Sequence, residues 1–112
     1  MRTATKKKLE AAGWRVSNTR EFLELSDAEE RLVEMKLALA TMLRVVRERH
    51  RLTQAQLAKR VQSSQSRVAK MEAGDASISL DLIVKTLYAA GAKNKELAKA
   101  VTSPRKMLAR TA

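Results

Sequence analysis

Four polar side chains between positions 65 and 70 are of types that form hydrogen bonds with nucleic acids. They are Gln65, Ser66, Arg67 and Lys70, and no acidic residue interrupts them before Glu72. Gln pairs bidentately with adenine, Arg or Lys pairs with guanine, and Ser pairs with either, so these side chains suit base edges and phosphates. A polar helix face is usually only solvated, and the elements that hold these residues decide between the two interpretations.

The stretch 52–74 predicts two short helices joined by a tight polar turn. Leu57 and Val61 lie four residues apart on the first helix, and Val68 and Met71 lie three apart on the second. Each pair forms one buried stripe, and the two inward faces meet across the turn. The outward face of the second helix then carries the four polar side chains. This is a helix-turn-helix, which can present its second helix to a DNA major groove.

Start and stop signals frame both helices. Thr53 with Gln56 satisfies the capping-box pattern, so the first helix should open at Thr53. Ser64 is placed to cap the start of the second helix, and Gly74 can end that helix by adopting the left-handed backbone conformation. The motif is therefore predicted over residues 53–74.

At these residues the chain resembles the XRE family of Cro/repressor-type DNA-binding proteins. The positions that match the family's pattern are Gln54, Leu57, Ala58, Ser64, Gln65, Ser66, Val68, Glu72 and Gly74. The resemblance implies an all-α fold, a lambda-repressor-like bundle of about five helices. One departure is Gln62, because the family usually has a glycine in the turn and a non-Gly residue at positive φ is uncommon.

The resemblance also implies roles for single side chains. The family's base-reading positions, with a neighbour that can reach base or backbone, fall on Gln65, Ser66, Lys70 and Arg67. The family's phosphate-contacting glutamine and a neighbouring pair of cations give the expected phosphate contacts, Gln54, Lys59 and Arg60. We expect the first group to set sequence preference and the second to act on all DNA alike.

The chain divides into three predicted regions. Residues 1–25 form a basic arm with a short extension, 26–101 hold the helix-turn-helix domain, and 102–112 form a loose basic tail. The extension carries apolar side chains that should bury against this chain's core, a second copy or another protein. They are Trp14, Val16, Phe22 and Leu23.

Upstream of the motif, a capping box at residues 26–29 starts a helix that can continue to about Arg49. Its main apolar stripe comprises Leu32, Leu39, Met42, Leu43 and Val46. The second half should pack on the helix-turn-helix, and the first half should be free for the N-terminal segment or a partner. The arginines that gather at its end either match the helix dipole or act as phosphate clamps.

Downstream of the motif, two more helices are predicted. The first begins at Ser79 and ends at Gly91, and the second covers residues 94–101. The core positions of the first are Leu80, Ile83, Val84 and Leu87. Tyr88 could join a dimer contact, although a core or boundary tyrosine is the commoner case.

The composition of the chain favours some classes of binding partner over others. The chain has 23 Lys and Arg against 12 Asp and Glu, and its net charge of +11 indicates a polyanionic partner. DNA is the first candidate. RNA is disfavoured because its readers usually stack bases on aromatic residues, of which this chain has three. A membrane is disfavoured because no stretch has the apolar length of a span.

Composition also disfavours several kinds of chemistry. The chain has no Cys and one His, so we expect neither a metal site nor a disulfide. We find no nucleophile triad and no glycine-rich phosphate loop, so no cofactor and no enzymatic activity are expected. The N-terminus lacks an apolar signal core, and a cytoplasmic location is expected.

Two segments before the motif, and one that overlaps its second half and continues beyond it, extend the resemblance. Residues 10–16, 21–26 and 63–82 resemble small bacterial XRE-type regulators that act as antitoxins in type II toxin–antitoxin pairs, often beside RelE- or HigB-like ribonuclease toxins. The resemblance implies a homodimer on a double-stranded DNA operator, autorepression, and toxin neutralisation by residues 13–37. The alternative is a protein-interaction module that neutralises a partner protein and binds nucleic acid only nonspecifically.

Overall fold

The part of the chain that the structure describes is entirely α-helical. The computed structural model describes residues 27–111, with side chains described to residue 109. The helices in this range are α1 (Asp27–Arg49), α2 (Gln54–Arg60), α3 (Gln65–Ala73), α4 (Leu80–Ala89), α5 (Asn94–Thr102) and α6 (Pro104–Thr111). The predicted small helical bundle is confirmed. The expectations for Trp14, Val16, Phe22, Leu23 and the cap at Ser26 lie outside the described residues.

The long helix α1 is the centre of the bundle. Helices α3, α4, α5 and α6 all pack against it, while α2 packs mainly on α3. Nearly every side chain from residue 33 to residue 43 is buried, as in a helix surrounded on all faces. The predicted stripe is confirmed except at Leu32, whose side chain is 50% exposed. The largest fully buried side chains of the core are Leu39, Leu43, Leu57, Met71, Ile83, Leu87, Val46 and Val68.

The C-terminal segment is a helix, so the prediction of a loose basic tail is wrong. Helix α6 packs on the first half of α1 and buries Leu108. Nε and Nη2 of Arg105 donate to the Glu34 carboxylate over 2.7 and 2.9 Å, and the Glu34 side chain is 4% exposed. The first half of α1 is therefore largely covered rather than free. The packing of α6 on α1 could not be predicted from the sequence, because few apolar residues lie among the cations of α6.

The helices after the motif begin and end near the predicted residues. Ser79 Oγ accepts a hydrogen bond from Leu82 N at the start of α4, and Gly91 follows the helix with φ 101°. Tyr88 is half exposed, and its hydroxyl donates to Asn94 Oδ1 over 2.8 Å. Val101, near the end of α5, is also exposed. No helix within residues 27–111 combines the length and the apolar character that crossing a bilayer requires.

Candidate nucleic-acid interface

The first motif helix begins with the predicted cap. Thr53 Oγ1 accepts a hydrogen bond from Gln56 N over 3.1 Å, and Gln56 Oε1 accepts one from Thr53 N over 2.8 Å. This reciprocal pair satisfies two backbone donors that the helix itself cannot satisfy. Helix α2 then buries Leu57 and Ala58 against the core. The capping-box prediction is confirmed, and it makes Gln54 the first residue of α2.

The turn between the motif helices bends at Gln62. This residue has φ 57°, in the left-handed region that glycine adopts most easily. The turn is closed by backbone hydrogen bonds, and Ser63 N donates to Ala58 O over 2.8 Å. The chain therefore keeps the turn geometry despite the glutamine, at the cost of local backbone strain.

The second motif helix is framed as the sequence predicts. Ser64 Oγ accepts a hydrogen bond from Arg67 N over 3.1 Å, and Gly74 ends the helix with φ 67°. Val68 and Met71 are almost completely buried. These two residues fix which face of α3 points away from the core.

The outward face of α3 is open. The predicted base-reading residues all lie on it as exposed side chains, and they are Gln65, Ser66, Arg67 and Lys70. Within residues 27–109, no hydrogen bond or salt bridge engages any of these side chains. Their donors and acceptors can therefore meet an external partner without breaking an internal contact.

A polar network ties α1, α2 and α3 together behind this face. Arg47 Nε donates to Glu72 Oε2 over 2.5 Å, and Arg47 Nη2 donates to Glu72 Oε1 over 3.0 Å. Gln54 Nε2 donates to the same Glu72 Oε1 over 3.2 Å. The hydrogen bond to Glu72 is the main cause that raises the pKa of Arg47 above its ordinary value. One carboxylate thus serves three helices.

Residues 38–101, more than half of the chain, match the family model described as a helix-turn-helix domain. The protein belongs to the helix-turn-helix domain family. The geometry agrees with this assignment, because α2 and α3 are the two capped helices of the motif and Gln62 lies in the turn between them. No curated protein and no solved structure matches the chain. Family membership makes this protein a DNA-binding regulator.

The predicted phosphate contacts of the helix-turn-helix domain fall into two kinds. Lys59 and Arg60 are exposed at the end of α2. Gln54 is partly buried and already donates one hydrogen bond to Glu72, so the second N–H of its amide is the donor left for a phosphate. Glu72 therefore fixes the direction in which this amide points.

The arginines at the end of α1 also differ among themselves. Arg47 is committed to Glu72 and to the carbonyl of Leu52, which it reaches over 2.8 Å through Nη1. Arg49 is paired with Glu96. Arg44 and Arg51 are exposed, and Arg44 lies 3.6 Å from Glu48. The idea that all of them clamp phosphate is thus too broad, because Arg47 holds the fold together.

Sequence reasoning missed the role of the pair formed by Arg47 and Glu72. The two residues lie 25 positions apart, so helical spacing gives no sign of their contact. The available signals were the match of Glu72 to the XRE pattern and its place as the first acidic residue after the polar face. When the side chain of an acidic residue is buried, its carboxylate needs a cationic or hydrogen-bonding partner.

Proposed function

We propose that this helix-turn-helix protein is a sequence-specific transcriptional repressor of the XRE, Cro/repressor type. Helix α3 would lie in the major groove, where Gln65, Ser66 and Lys70 would contact base edges. Arg67 would reach a base or the backbone. The observation that carries the proposal is the outward face of α3, whose four polar side chains are exposed and form no hydrogen bond or salt bridge within the described residues.

The phosphate contacts would come from α2. The exposed cations Lys59 and Arg60 and the free N–H of Gln54 supply charge and a directed donor. Such contacts set the position of the protein on the duplex but carry no sequence information. We attribute affinity for all DNA to α2 and preference for one operator to α3.

We propose that the active form is a homodimer. Asn94, Ala98 and Val101 are spaced i, i+4 and i+7 along α5 and form one exposed stripe. Tyr88 joins this stripe through its hydrogen bond to Asn94. A two-fold contact through the stripe would set two α3 helices about 34 Å apart on an inverted-repeat operator. Analytical sedimentation of the Val101→Glu variant tests this dimer contact. Dimerisation as strong as in the wild type would contradict a contact through the stripe.

We further propose that the protein represses its own operon as the antitoxin of a toxin–antitoxin pair, with a RelE- or HigB-like toxin as partner. The predicted partner-binding segment, residues 13–37, includes the first turns of α1, which precede the family match. There a groove of about 350 Å³ lies between Leu32 and Val33 of α1 and the residues 76–80. The exposed Leu32 at its edge suits an apolar side chain of a partner protein.

The alternative function is a protein-interaction module that binds nucleic acid only nonspecifically. The same groove beside Leu32 is the observation that favours it. Co-purification with the product of a neighbouring gene, lost on Leu32→Asp, would support a partner under either function. In both cases we propose that the protein acts by binding and not by catalysis.

The direct test of base reading compares Gln65→Ala with Lys59→Ala on the operator and on random duplex. We expect Gln65→Ala to cost about 1–3 kcal/mol on the operator and little on random DNA, because it removes a base contact. Lys59→Ala should weaken both duplexes alike, because it removes a phosphate contact. Equal losses on both duplexes for Gln65→Ala would show that this residue reads no base.

A further inference from the structure

Two loops that are distant in sequence meet at one end of α1. Arg49 Nη1 and Nη2 donate to the carboxylate of Glu96 over 2.6 and 3.1 Å, which joins the end of α1 to the first turn of α5. A Cβ added at Gly91 would lie 3.0 Å from His50 Nε2, so the α4–α5 loop also approaches His50 closely. Two separate contacts therefore hold the residues 91–96 against the residues 49–50.

Four cations lie next to the residues of this junction along the chain or along α5, and together they are called the basic patch: Arg51, Lys93, Lys95 and Lys99. All four side chains are exposed, and within residues 27–109 no salt bridge engages any of them. The only acidic residue within 91–102 is Glu96, which Arg49 already binds. Glu96 also attracts Lys93, but one carboxylate shared with Arg49 leaves most of the charge of the basic patch unneutralised within the described residues.

The basic patch continues towards the DNA-binding helices. Arg51 precedes Gln54, the first residue of α2, by three positions, a distance of at most about 10 Å along the chain. Its φ of 56° turns the chain sharply between α1 and α2. Lys95 and Lys99 lie one turn apart on α5, beside Glu96. A strip of cations therefore extends from the start of α2 to the middle of α5.

We infer that the basic patch binds the phosphate backbone of DNA that flanks the bases read by α3. This inference rests on the proposed DNA-reading function and adds a second contact surface to it. A duplex carries one negative charge per about 1.7 Å of its axis, so a strip of cations can neutralise several phosphates outside the recognised groove. Such contacts act on any sequence and lengthen the footprint of each subunit.

The test uses two double variants that remove the same charge from the full-length protein. Lys95→Gln/Lys99→Gln removes two cations of the basic patch, and Lys85→Gln/Lys106→Gln removes two exposed lysines from α4 and α6. For the first variant, we expect the plot of log K against log salt on a long duplex to become shallower by about 2 per bound subunit, and so by about 4 for the proposed dimer. The second variant should keep the slope of the wild type. Equal slopes for the two variants overturn the inference.

A trimmed duplex and a competitor complete the test. On a duplex cut to the bases under the two α3 helices, Lys95→Gln/Lys99→Gln should bind as the wild type does. A loss that persists there contradicts flanking contacts, and so does a larger loss on single-stranded RNA than on the long DNA duplex. Another outcome is that the wild type shows no preference for the operator while Lys95→Gln/Lys99→Gln still makes the salt dependence shallower. That result would contradict base reading by α3 and would support phosphate binding by the basic patch.

Discussion

Arg47 and Glu72 form an ion pair with two hydrogen bonds that joins the central helix α1 to the recognition helix α3. The two side chains are only 14% and 5% exposed. Gln54 of α2 donates to the same carboxylate. The tilt of α3 relative to α1 and α2 is therefore fixed by directed polar contacts as well as by apolar packing. This relationship lies directly behind the face that would read DNA.

We predict that Glu72→Gln lowers the free energy of unfolding by about 3 kcal/mol, because Arg47 loses its charged partner in a largely buried site. Urea denaturation measures this. Glu48→Gln is the control, since Glu48 is exposed and its pairing with Arg44 at 3.6 Å and with Arg47 at 4.0 Å should be worth under about 1 kcal/mol. The double variant Arg47→Met/Glu72→Leu should lose less than Glu72→Gln. A cost for Glu72→Gln no larger than that of Glu48→Gln would contradict the structural role of the pair.

We predict that Gln62→Gly stabilises the protein by about 1 kcal/mol, because it relieves the left-handed strain at φ 57°. The reciprocal change, Gly74→Ala, should destabilise it. Gly74 has φ 67°, and a Cβ there would lie 2.7 Å from Leu37 Cδ2. Thermal unfolding of both variants provides the measurement. A lower melting temperature for Gln62→Gly would show that the glutamine side chain contributes more than the strain costs.

The pair of Arg49 and Glu96 predicts a pH dependence of stability. The hydrogen bonds from Arg49 are the main cause that lowers the pKa of Glu96 from 4.5 to about 2. A carboxyl whose pKa is lower in the folded state stabilises the protein above its unfolded pKa, and this contribution disappears as the pH falls from about 4.5 towards 2. The difference in unfolding free energy between the wild type and Glu96→Gln should thus be constant above pH 5.5 and shrink below it. Arg49→Gln should remove most of this pH dependence, and a difference that stays constant down to pH 3 would contradict it.

Leu108→Ala should destabilise the protein by about 2–3 kcal/mol, because this leucine is 5% exposed where α6 packs on α1. Lys106→Ala, an exposed neighbour on the same helix, should change stability by less than about 0.5 kcal/mol. Denaturant titration compares the two variants. If both changes are equally small, α6 does not contribute to the folded core.

The sequence predicted those features that local chemistry determines. The ends of the motif helices can be predicted from Thr53, Ser64 and Gly74. Each of these residues forms a hydrogen bond with a backbone group three or four positions away. The contact of Glu34 with Arg105 spans 71 positions, so the docking of α6 could not be inferred from spacing. Leu32 belongs to the apolar stripe by periodicity, yet it is half exposed since the described helices leave that part of α1 uncovered.

The sequence predicted which side chains form the candidate interface, but it did not predict the contacts that hold α3 in place behind it. The exposed face of α3 follows once Val68 and Met71 point inward, and a repeat of apolar residues at helical spacing specifies that. The commitment of Arg47 to Glu72 depends on how α1 and α3 cross. Helix crossing is a tertiary property that periodicity does not specify.

The outward face of α3 is proposed to read a specific DNA sequence. We would measure binding of the purified protein to a duplex carrying its own upstream region and to a random duplex of equal length, across a salt series. We predict a preference of about 10³-fold or more that persists at physiological salt. Equal and steeply salt-dependent binding to both duplexes would contradict sequence reading by Gln65, Ser66 and Lys70.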